Sequence, residues 1–392
     1  MLYIDITRLY NNARLLKMAT GVDKVNIAYI RQYGEQCCAV IRLPSHWLFL
    51  PYQRSQLFFN KIIRNQSISL SYFDKKLYKK PSNDLINYLL NISHNGLESP
   101  LYLQRMTQYK LRGIYFLHDI IPIDYPEYCR QGEYQKHLQR LITMLSGDLI
   151  IANSQYTVDR FRSFCQKHNY QLPTTIWAHL STEDNKQNVT IDLQKDSILK
   201  LLIDNTPYFV ILGTIEARKN HLFLLNLWRE LKQELGTQCP KLVIIGKRGW
   251  EIEQVVDILE RSSELKGYII ELNYCRDDEV NYLVQNSQAL LFPSFVEGFG
   301  LPLIQAFQQK VPVIANNIAV FKELNFGEAP LISVIDGISW KQAIIDYSDS
   351  KNIKRMCQIS IIEKNYEMLP TWEKHFANIN PYISRYLSLS KL

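Results

Sequence analysis

The chain has 392 residues, of which 46% are hydrophobic and 21% are charged, and its formal net charge is +7. This length predicts two globular domains, and this composition excludes a disordered or fibrous protein. The positive charge is modest and is not concentrated in an arm or tail, so we expect no nucleic-acid partner. It suits a phosphate-bearing substrate or an anionic membrane surface equally well.

The seven cysteines include the adjacent pair Cys37 and Cys38 and no pair at CxxC spacing. This pattern argues against a disulfide framework or a zinc site and predicts reduced thiols in a cytoplasmic protein. The chain begins with an apolar run that no basic region precedes, so we expect no secretory signal. No apolar run is long enough to predict a membrane span.

The first predicted elements place polar groups at one strand end. Residues 2–7 predict a strand, a polar loop follows, and a helix is predicted from Gly21. Asp5 and Arg8 are therefore expected to lie near the Gly21 turn, which is either a solvated loop or part of a binding site. Residues 37–43 predict a second strand.

Residues 47–110 show no clear period, and basic residues alternate there with aromatic ones. The residues concerned are Lys61, Arg64, Lys75, Lys76, Lys79 and Lys80, among Phe58, Phe59, Tyr72, Phe73 and Tyr78. This alternation fits an interfacial helix at an anionic membrane or a solvated face over the edge of the core. We favour the solvated face and expect irregular structure in this stretch.

A sharper signal follows, because residues 113–121 predict a buried strand that ends in His118 and Asp119. Open α/β sheets bind ligands at the carboxyl ends of their strands, so these side chains are either ligand contacts or structural groups. Ser154 is predicted to cap the helix that follows another strand. The further elements predicted in this half are a helix over 132–146 and strands over 148–152 and 174–180.

The composition turns polar over residues 181–200, which predicts a linker between a first domain, residues 1–185, and a second, residues 200–370. Strands and helices alternate after the linker, and this alternation predicts a doubly wound sheet. The strands are predicted over 208–212, 242–245, 268–272, 289–292, 311–315 and 331–335. An amphipathic helix is predicted over 372–389.

The first strand of this sheet ends at Gly213, and Arg218 and Lys219 follow within the next turn. The planar fork of an arginine and the compact charge of a lysine both suit phosphate oxygens. The alternative is a solvated pair of surface cations. Tyr274, just beyond another predicted strand, either stacks on a base or belongs to the core.

The strand over 289–292 ends in a turn that opens a helix. The residues of the turn and the helix start are Glu297, Gly298, Phe299, Gly300 and Leu301. The glycines let a ligand approach the main chain, and the helix N-terminus favours an anion, so the turn predicts a phosphate or sugar site. An ordinary strand-to-helix turn is the alternative. Asp277 and Asp278 read as the acidic first turn of a helix, so no metal site is predicted.

These motifs resemble those of retaining glycosyltransferases with the GT-B fold, in particular family 4. Glu297 and Gln305 occupy the two positions of that family's E-x7-E motif, which implies that Glu297 binds the donor sugar and Gln305 the nucleotide ribose. The family usually has glutamate where Gln305 stands. An amide accepts a ribose hydroxyl but lacks the charge-assisted bond of a carboxylate.

The resemblance extends to other motifs. The Gly-x-x-x-x-Arg-Lys-Asn pattern that begins at Gly213 implies that Arg218 and Lys219 bind the donor diphosphate. His118 and Asp119 match a strand end that contacts the donor sugar. Ser154 is implied near the donor phosphate, and the Thr-Gly-x-Asp turn at Gly21 near donor and acceptor.

The implied fold is α/β of the GT-B type, with two Rossmann-like doubly wound domains that face a central cleft and a final segment, residues 371–392, that crosses back to the first domain. The implied reaction transfers a sugar with retention from a nucleotide sugar to a lipid-linked or growing surface glycan, O-antigen or capsule. GDP-mannose is the favoured donor, before dTDP-rhamnose or a UDP-sugar. Neither a metal nor another cofactor is expected.

The partners expected are thus a nucleotide sugar and a glycan acceptor, with peripheral contact at the cytoplasmic face of the inner membrane. A phosphorylase or an epimerase of the same fold is an alternative, but neither a pyridoxal-binding lysine motif nor a paired-histidine pattern is evident. A further alternative is a nucleotide-sugar-binding subunit without activity, because Gln305 replaces a carboxylate.

Overall fold

The computed structural model describes residues 1–15, 20–70, 81, 86–182 and 206–389. The chain divides into two compact units. Unit 1 comprises Met1–Pro126, Gln131–Leu180 and Thr371–Leu392, and unit 2 comprises Glu127–Arg130 and Ser181–Pro370.

Unit 1 is built on a seven-stranded sheet with the strand order β3-β2-β1-β4-β5-β6-β7. Only the β2 and β3 pair is antiparallel among its described strand pairs. The strands are β1 Leu2–Asp5, β2 Cys38–Arg42, β3 Trp47–Phe49, β4 Asn87–Asn91, β5 Leu111–Leu117, β6 Leu149–Ala152 and β7 Thr175–Trp177.

The centre of this sheet is buried on both faces, as expected for parallel strands. All four residues of β1 are buried, and Ile4 pairs with Ala39 of β2 and Leu90 of β4. The helices of this unit that precede residue 180 are α1 Thr7–Arg14, α2 Gly21–Tyr33, α3 Tyr52–Ile63, α4 Leu101–Gln108, α5 Ile121–Asp124, α6 Glu133–Met144 and α7 Gln155–Lys167.

Unit 2 contains a six-stranded sheet with the order β10-β9-β8-β11-β12-β13, and each of its described pairs is parallel. Its strands are β8 Tyr208–Leu212, β9 Lys241–Ile245, β10 Ile269–Leu272, β11 Leu290–Phe292, β12 Val313–Asn316 and β13 Leu331–Ile332. The side chains of Trp228 and Trp340 are fully buried in the core beside this sheet.

The helices of unit 2 follow its strands in alternation. They are α8 His221–Leu235, α9 Glu253–Arg261, α10 Asp277–Gln285, α11 Leu301–Gln308, α12 Ala319–Glu323, α13 Gly337–Ser348 and α14 Ile353–Lys364. Short 3-10 helices span Gly34–Gln36, Pro126–Tyr128, Ala217–Lys219, Gly236–Gln238 and Tyr366–Met368.

The last helix, α15 Trp372–Leu389, packs on unit 1. The Tyr29 hydroxyl lies 3.0 Å from His375 Nε2, and the Tyr33 hydroxyl donates to Asn380 Oδ1 at 2.8 Å. Phe376 meets the Tyr29 ring edge to face, with centroids 5.1 Å apart. These contacts tie the end of the described chain to α2.

Both sheets have a topological switch point, where connections leave two neighbouring strands in opposite directions. In unit 1 the chain leaves β1 for β2 on one side and β4 for β5 on the other. In unit 2 it leaves β8 for β9 and β11 for β12. Open α/β sheets bind ligands at such points, so the loops after β1, β4, β8 and β11 are the positions at which this fold favours a ligand.

The predicted fold class, two Rossmann-like doubly wound α/β units, is confirmed. All six strands predicted for the second half are present, with shifts of one to three residues at some of their ends. The helices predicted over 132–146 and 372–389 and from Gly21 are also found.

Two predictions for the first half were wrong. Residues after the first strand form α1 rather than a polar loop, because the Asp5 carboxylate accepts the Thr7 backbone N–H at 3.0 Å and turns the chain into a helix. The stretch over 47–110, expected to be irregular, contains β3, α3, β4 and α4. Residues 71–80, which carry several of its basic and aromatic residues, lie outside the described part.

Across the described ranges, no helix combines the length and the apolar composition that a bilayer span requires.

The start of α7 gives a stability prediction. Ser154 Oγ accepts the Thr157 N–H at 3.0 Å and is fully buried, so Ser154→Ala should lower the free energy of unfolding by about 1 kcal/mol. Chemical denaturation followed by fluorescence measures this loss. Ser163→Ala, an exposed position on the same helix, is the control and should change little; equal stability of the two variants would contradict the capping role.

Candidate active site

The loops that follow β8 and β11 meet at the switch point of unit 2. The Phe295 N–H donates to the Arg218 carbonyl at 2.8 Å, and the Asn220 side chain donates to the Pro293 carbonyl at 3.4 Å. Arg218 Nη1 also lies 3.4 Å from the Val296 carbonyl. Residues 213–220 and 293–300 therefore form one hydrogen-bonded structure, called the switch loops below.

Two glycines allow the switch loops to turn. Gly213 has φ of 139° and Gly300 has φ of 125°, a region that residues with a side chain rarely adopt. A Cβ atom at Gly300 would lie 3.1 Å from the Phe321 ring, so space as well as backbone conformation favours glycine. The chain after Gly213 then forms the 3-10 turn Ala217–Lys219, which carries both cations.

The charged side chains of the switch loops are in direct contact. Arg218 Nη1 lies 2.7 Å from Glu297 Oε2, and Lys219 Nζ lies 2.6 Å from Glu297 Oε1. Arg218 Nη2 lies 2.6 Å from Glu216 Oε1. Glu297 thus bridges the two cations, and Arg218 bridges the two carboxylates. We call these four residues the charge cluster.

Burial makes the pairing within the charge cluster strong. Burial by itself would raise the pKa of Glu297, but Arg218 and Lys219 outweigh it and hold that pKa at about 2. For Glu216 burial is the larger effect, and its pKa is raised despite the same two cations. Burial also lowers the pKa of Lys219, against the attraction of Glu297. The pKa values of the two carboxylates therefore shift in opposite directions.

Further groups around the charge cluster suit an anionic ligand. Lys219 Nζ lies 5.0 Å from the centre of the Phe292 ring, which holds the ammonium group from a second side. Helix α11 begins beside Glu297 without a side-chain cap, and Pro302 in its first turn has no N–H to satisfy. The positive end of this helix therefore faces the switch loops without a capping carboxylate of its own.

The remaining residues predicted in unit 2 are spread around this edge. Gln305 Nε2 donates to Asn281 Oδ1 at 2.9 Å, so its amide is held by α10 and its Oε1 is the acceptor that a hydroxyl can use. Phe299 is buried, whereas Gly298 and Leu301 are half-buried. Tyr274 is 67% exposed, which excludes the core alternative and leaves a ring free to stack.

In unit 1, His118 follows β5 directly and is largely buried. Its Nε2 lies 2.6 Å from the Ile92 carbonyl, and its backbone N–H donates to His94 Nε2 at 3.1 Å. Burial lowers the pKa of His118 to about 4, so the ring is neutral near pH 7. A neutral ring that donates through Nε2 has Nδ1 as its hydrogen-bond acceptor.

The other residues predicted in unit 1 have structural contacts. Asp119 Oδ1 accepts the Ile121 N–H at 3.0 Å at the start of α5. The Ser154 side chain is the α7 cap, and nothing in its contacts reaches beyond the helix start. Gly21 is the first residue of α2 rather than part of a loop, with Thr20 as the N-cap. The donor contacts predicted for these residues remain predictions.

Sequence reasoning missed two side chains that contact predicted site residues, Glu216 and His94. Glu216 stands within the quoted glycine pattern, and its buried pairing with Arg218 depends on the fold of the loop. His94 has no neighbouring motif, yet its ring contacts His118, with centroids 4.9 Å apart. Both residues lie in loops that follow central strands, β8 for Glu216 and β4 for His94, and this position is the signal that could have found them.

The acidic pair of α10 lies at the start of that helix. Asp277 and Asp278 lie in the first turn of α10, as predicted, and Asp278 pairs with Arg276 at 3.1 Å. Within the described ranges, no group of three or more His, Cys, Asp or Glu side chains is arranged to hold a metal ion.

One segment of the chain matches a known family. Residues 194–328 match the family described as "Glycosyl transferases group 1". The matched segment includes both switch loops. The glycosyltransferase resemblance predicted from the sequence is confirmed for this segment.

Curated relatives are mannosyltransferases. The chain is 31% identical over 223 residues to the serotype-specific mannosyltransferase WbdA of Escherichia coli, covering 54% of this chain and 26% of the relative. It is 26% identical over 274 residues to the O-antigen chain mannosyltransferase RfbU of Salmonella typhimurium, covering 69% and 64%. The aligned part of the chain thus spans about a quarter of the WbdA relative.

Solved structures show the same fold. Anabaena HepE, in complex with UDP-glucose, superposes with a TM-score of 0.68 at 13% identity over 99% of each chain. At this identity the likeness concerns the fold alone. The GT-B fold class predicted from the sequence is confirmed.

The low pKa of Glu297 predicts a pH dependence of stability. A carboxylate whose folded pKa is about 2 stabilises the protein above its ordinary pKa, near 4.5, and this contribution is lost as the pH falls from there toward 2. The difference in unfolding free energy between the wild type and Glu297→Gln should therefore shrink with acidification. Denaturant titrations between pH 6 and pH 3 measure it.

A matched control uses Glu264, an exposed glutamate of the same unit. Glu264→Gln should show a small difference from the wild type that hardly varies over this range. A difference for Glu297→Gln that is constant with pH would contradict the ion pairing described here.

Proposed function

We propose, from the match of residues 194–328 to the glycosyl transferases group 1 family, that the chain is a retaining glycosyltransferase that moves mannose from GDP-mannose to a growing surface glycan. The observation that carries the proposal is the charge cluster at the switch point of unit 2, where Arg218 and Lys219 both contact Glu297. Cations next to a carboxylate suit a donor that joins a diphosphate to a sugar.

In the proposed reaction the bond between the anomeric carbon and the diphosphate oxygen breaks, and a bond from that carbon to the acceptor hydroxyl oxygen forms. The nucleoside diphosphate leaves with the electron pair, and its phosphate oxygen takes the acceptor proton. Arg218 and Lys219 stabilise the charge that develops on the leaving group, as preformed donors do in other transfer reactions. In this proposal the two cations, and not a metal ion, neutralise the diphosphate.

Three further side chains hold the donor in this proposal. Glu297 remains ionised over the whole physiological range and accepts hydroxyl groups of the sugar. Gln305 offers its Oε1 to one ribose hydroxyl while Asn281 holds its amide nitrogen. His118, neutral near pH 7, accepts a hydroxyl of the sugar rather than transferring a proton.

The relatives guide the choice of substrate. WbdA and RfbU are mannosyltransferases, and RfbU acts on the O-antigen chain by its description, so mannose and a lipopolysaccharide O-antigen acceptor are proposed for this chain. A capsule glycan, or dTDP-rhamnose or a UDP-sugar as donor, is the next candidate. Such an acceptor is anchored in a membrane, so we place the reaction at the cytoplasmic face of the inner membrane, with the chain as a peripheral protein.

A panel of nucleotide sugars with an acceptor extract tests the assignment. The expected result is transfer of mannose from GDP-mannose with retention of the configuration at the anomeric carbon. NMR of the product determines that configuration. Gln305 motivates a second candidate, a binding subunit without activity. Tight nucleotide binding with no transfer from any donor would favour that candidate.

Arg218 provides the most direct mutational prediction. Arg218→Ala should lower kcat/KM for the donor by two to three orders of magnitude, about 3 to 4 kcal/mol, the scale of losing one preformed donor to developing charge. Steady-state kinetics with GDP-mannose measure this. A denaturation curve checks that the variant is folded, since Glu216 loses its ion pair with Arg218 and Glu297 keeps only the one with Lys219.

The control is Arg261→Ala, which removes a guanidinium that is 78% exposed on α9 of the same unit. This variant should retain the wild-type kcat/KM. Unchanged kinetics for folded Arg218→Ala would sink the proposed role of the charge cluster.

A substitution at Gln305 is expected to keep or improve function, in contrast to Arg218→Ala. Gln305→Glu should keep or tighten nucleotide binding, because a carboxylate accepts ribose hydroxyls through a charge-assisted bond. The Asn281 amide must then reverse to donate to the new carboxylate, which removes its bond with Gln309. Calorimetric titration with GDP measures the affinity, and a collapse of binding would show that the ribose role is misassigned.

A further inference from the structure

Unit 1 contains a second candidate binding site, a cavity of about 710 Å³ at its switch point. Thr7 and Tyr10, which follow β1, line one part of it, and Asn95 and Gly96, which follow β4, line another. The volume lies within the range of small-molecule sites, roughly 300–1,000 Å³. This cavity occupies the same position in unit 1 as the charge cluster does in unit 2, because the loops after β1 and β4 diverge as the loops after β8 and β11 do.

The charge of this cavity is positive. Arg14, Arg42 and Arg105 line it, and no aspartate or glutamate is among the described residues of its wall. Arg105 donates to the Gln108 side chain at 2.8 Å and to the Ser45 carbonyl at 2.6 Å, which are both neutral. Within the described ranges Arg14 forms no ion pair. At least two guanidinium groups therefore stand without a compensating carboxylate there.

The third arginine is fixed in place. Arg42 Nε lies 2.5 Å from Asp5 Oδ2, Nη2 donates to the Asn95 carbonyl, and the guanidinium lies 5.5 Å from the centre of the Tyr102 ring. Gly96 permits this position, because a Cβ atom there would lie 1.8 Å from Arg42 Nη1. Arg42 Nη1 donates to no other described residue, so a preoriented donor remains beside the cavity.

The rest of the wall suits a sugar. Tyr10, Trp47 and Tyr102 contribute rings, and Asn11 and Asn95 contribute amides. Flat apolar surface beside a few polar groups is the usual composition of a site for a small polar ligand. Arginine forks add recognition of a carboxylate or a phosphate through paired hydrogen bonds.

We infer that this cavity binds an anionic carbohydrate, a sugar that carries a carboxylate or a phosphate group, through Arg14, Arg42 and Arg105. Its role as the acceptor site rests on the proposed transfer reaction, whereas the binding itself does not. The two sources of the anion are an acidic sugar in the glycan and the phosphate that links a glycan to its lipid.

Ligand-observed NMR on the full chain without nucleotide tests the binding. The probes are methyl β-D-glucuronide for the carboxylate, glucose 1-phosphate for the phosphate, and methyl β-D-glucoside as the neutral match. At least one anionic probe should bind about tenfold or more tightly than the neutral one, the scale of a charged hydrogen bond. Which anion binds identifies its source; equal binding of all three probes would overturn the inference.

Variants locate the site. Arg105→Gln and Arg14→Gln should each weaken binding of the anionic probe about tenfold, because each removes one charged donor. Arg162→Gln, an arginine of α7 in the same unit, should leave it unchanged. Wild-type binding by both Arg105→Gln and Arg14→Gln would place the anion elsewhere and overturn the inference.

Kinetics separate this inference from the proposed function. If both hold, Arg105→Gln raises the KM for the acceptor and leaves GDP affinity unchanged. Anion binding that depends on Arg105 in a protein with no transferase activity would contradict the proposed function and support the binding site. Transfer with an unaltered acceptor KM in Arg105→Gln and Arg14→Gln would overturn the acceptor role and leave the proposed function standing.

Discussion

Two cations and two carboxylates meet at one edge of the second sheet, and the candidate active site depends on their pairing. Lys219 and Glu297 are almost fully buried, and a charge buried alone is strongly unfavourable. Glu216 and Arg218 complete the group, so every charge has an opposite charge within 2.7 Å. The position of each side chain is therefore fixed by the others, and the cations are in place before any ligand arrives.

The strand order explains why the charges meet at this edge. In unit 1 the strand β1 lies between β2 and β4, and in unit 2 the strand β8 lies between β9 and β11. The chain leaves β1 and β4, and likewise β8 and β11, in opposite directions. The loops therefore separate and leave room for side chains. Unit 1 has a similar arrangement, because Asp5 lies at the end of β1. The Asp5 carboxylate pairs with Arg42 and accepts a hydrogen bond from Asn91 at 3.1 Å. Both units thus use ion pairs to hold the carboxyl ends of their central strands.

Sequence patterns predicted the strands whose buried residues are all apolar. The run Leu290–Phe292 and the cations after Gly213 could be placed because local sequence is sufficient to define a strand and its turn. The strand Asn87–Asn91 was missed because it begins and ends with a polar residue. The buried Asn91 donates to Asp5, which is 86 positions away in the chain. Arg218 of the charge cluster likewise pairs with Glu297, which is 79 positions away. Tertiary partners of this kind leave no local pattern.

The balance of charge in the cluster bears on how the proposed reaction proceeds. Arg218 and Lys219 are neutralised by carboxylates in the free site, so a bound diphosphate gains less than it would from two uncompensated cations. Negative charge increases on the leaving oxygen as the sugar bond breaks, and the same two cations are already oriented toward that edge. Their attraction is thus greater in the transition state than in the ground state, which is the condition for a faster chemical step. Because the carboxylates neutralise these cations, the cations also bind the nucleoside diphosphate product less tightly, which favours its release.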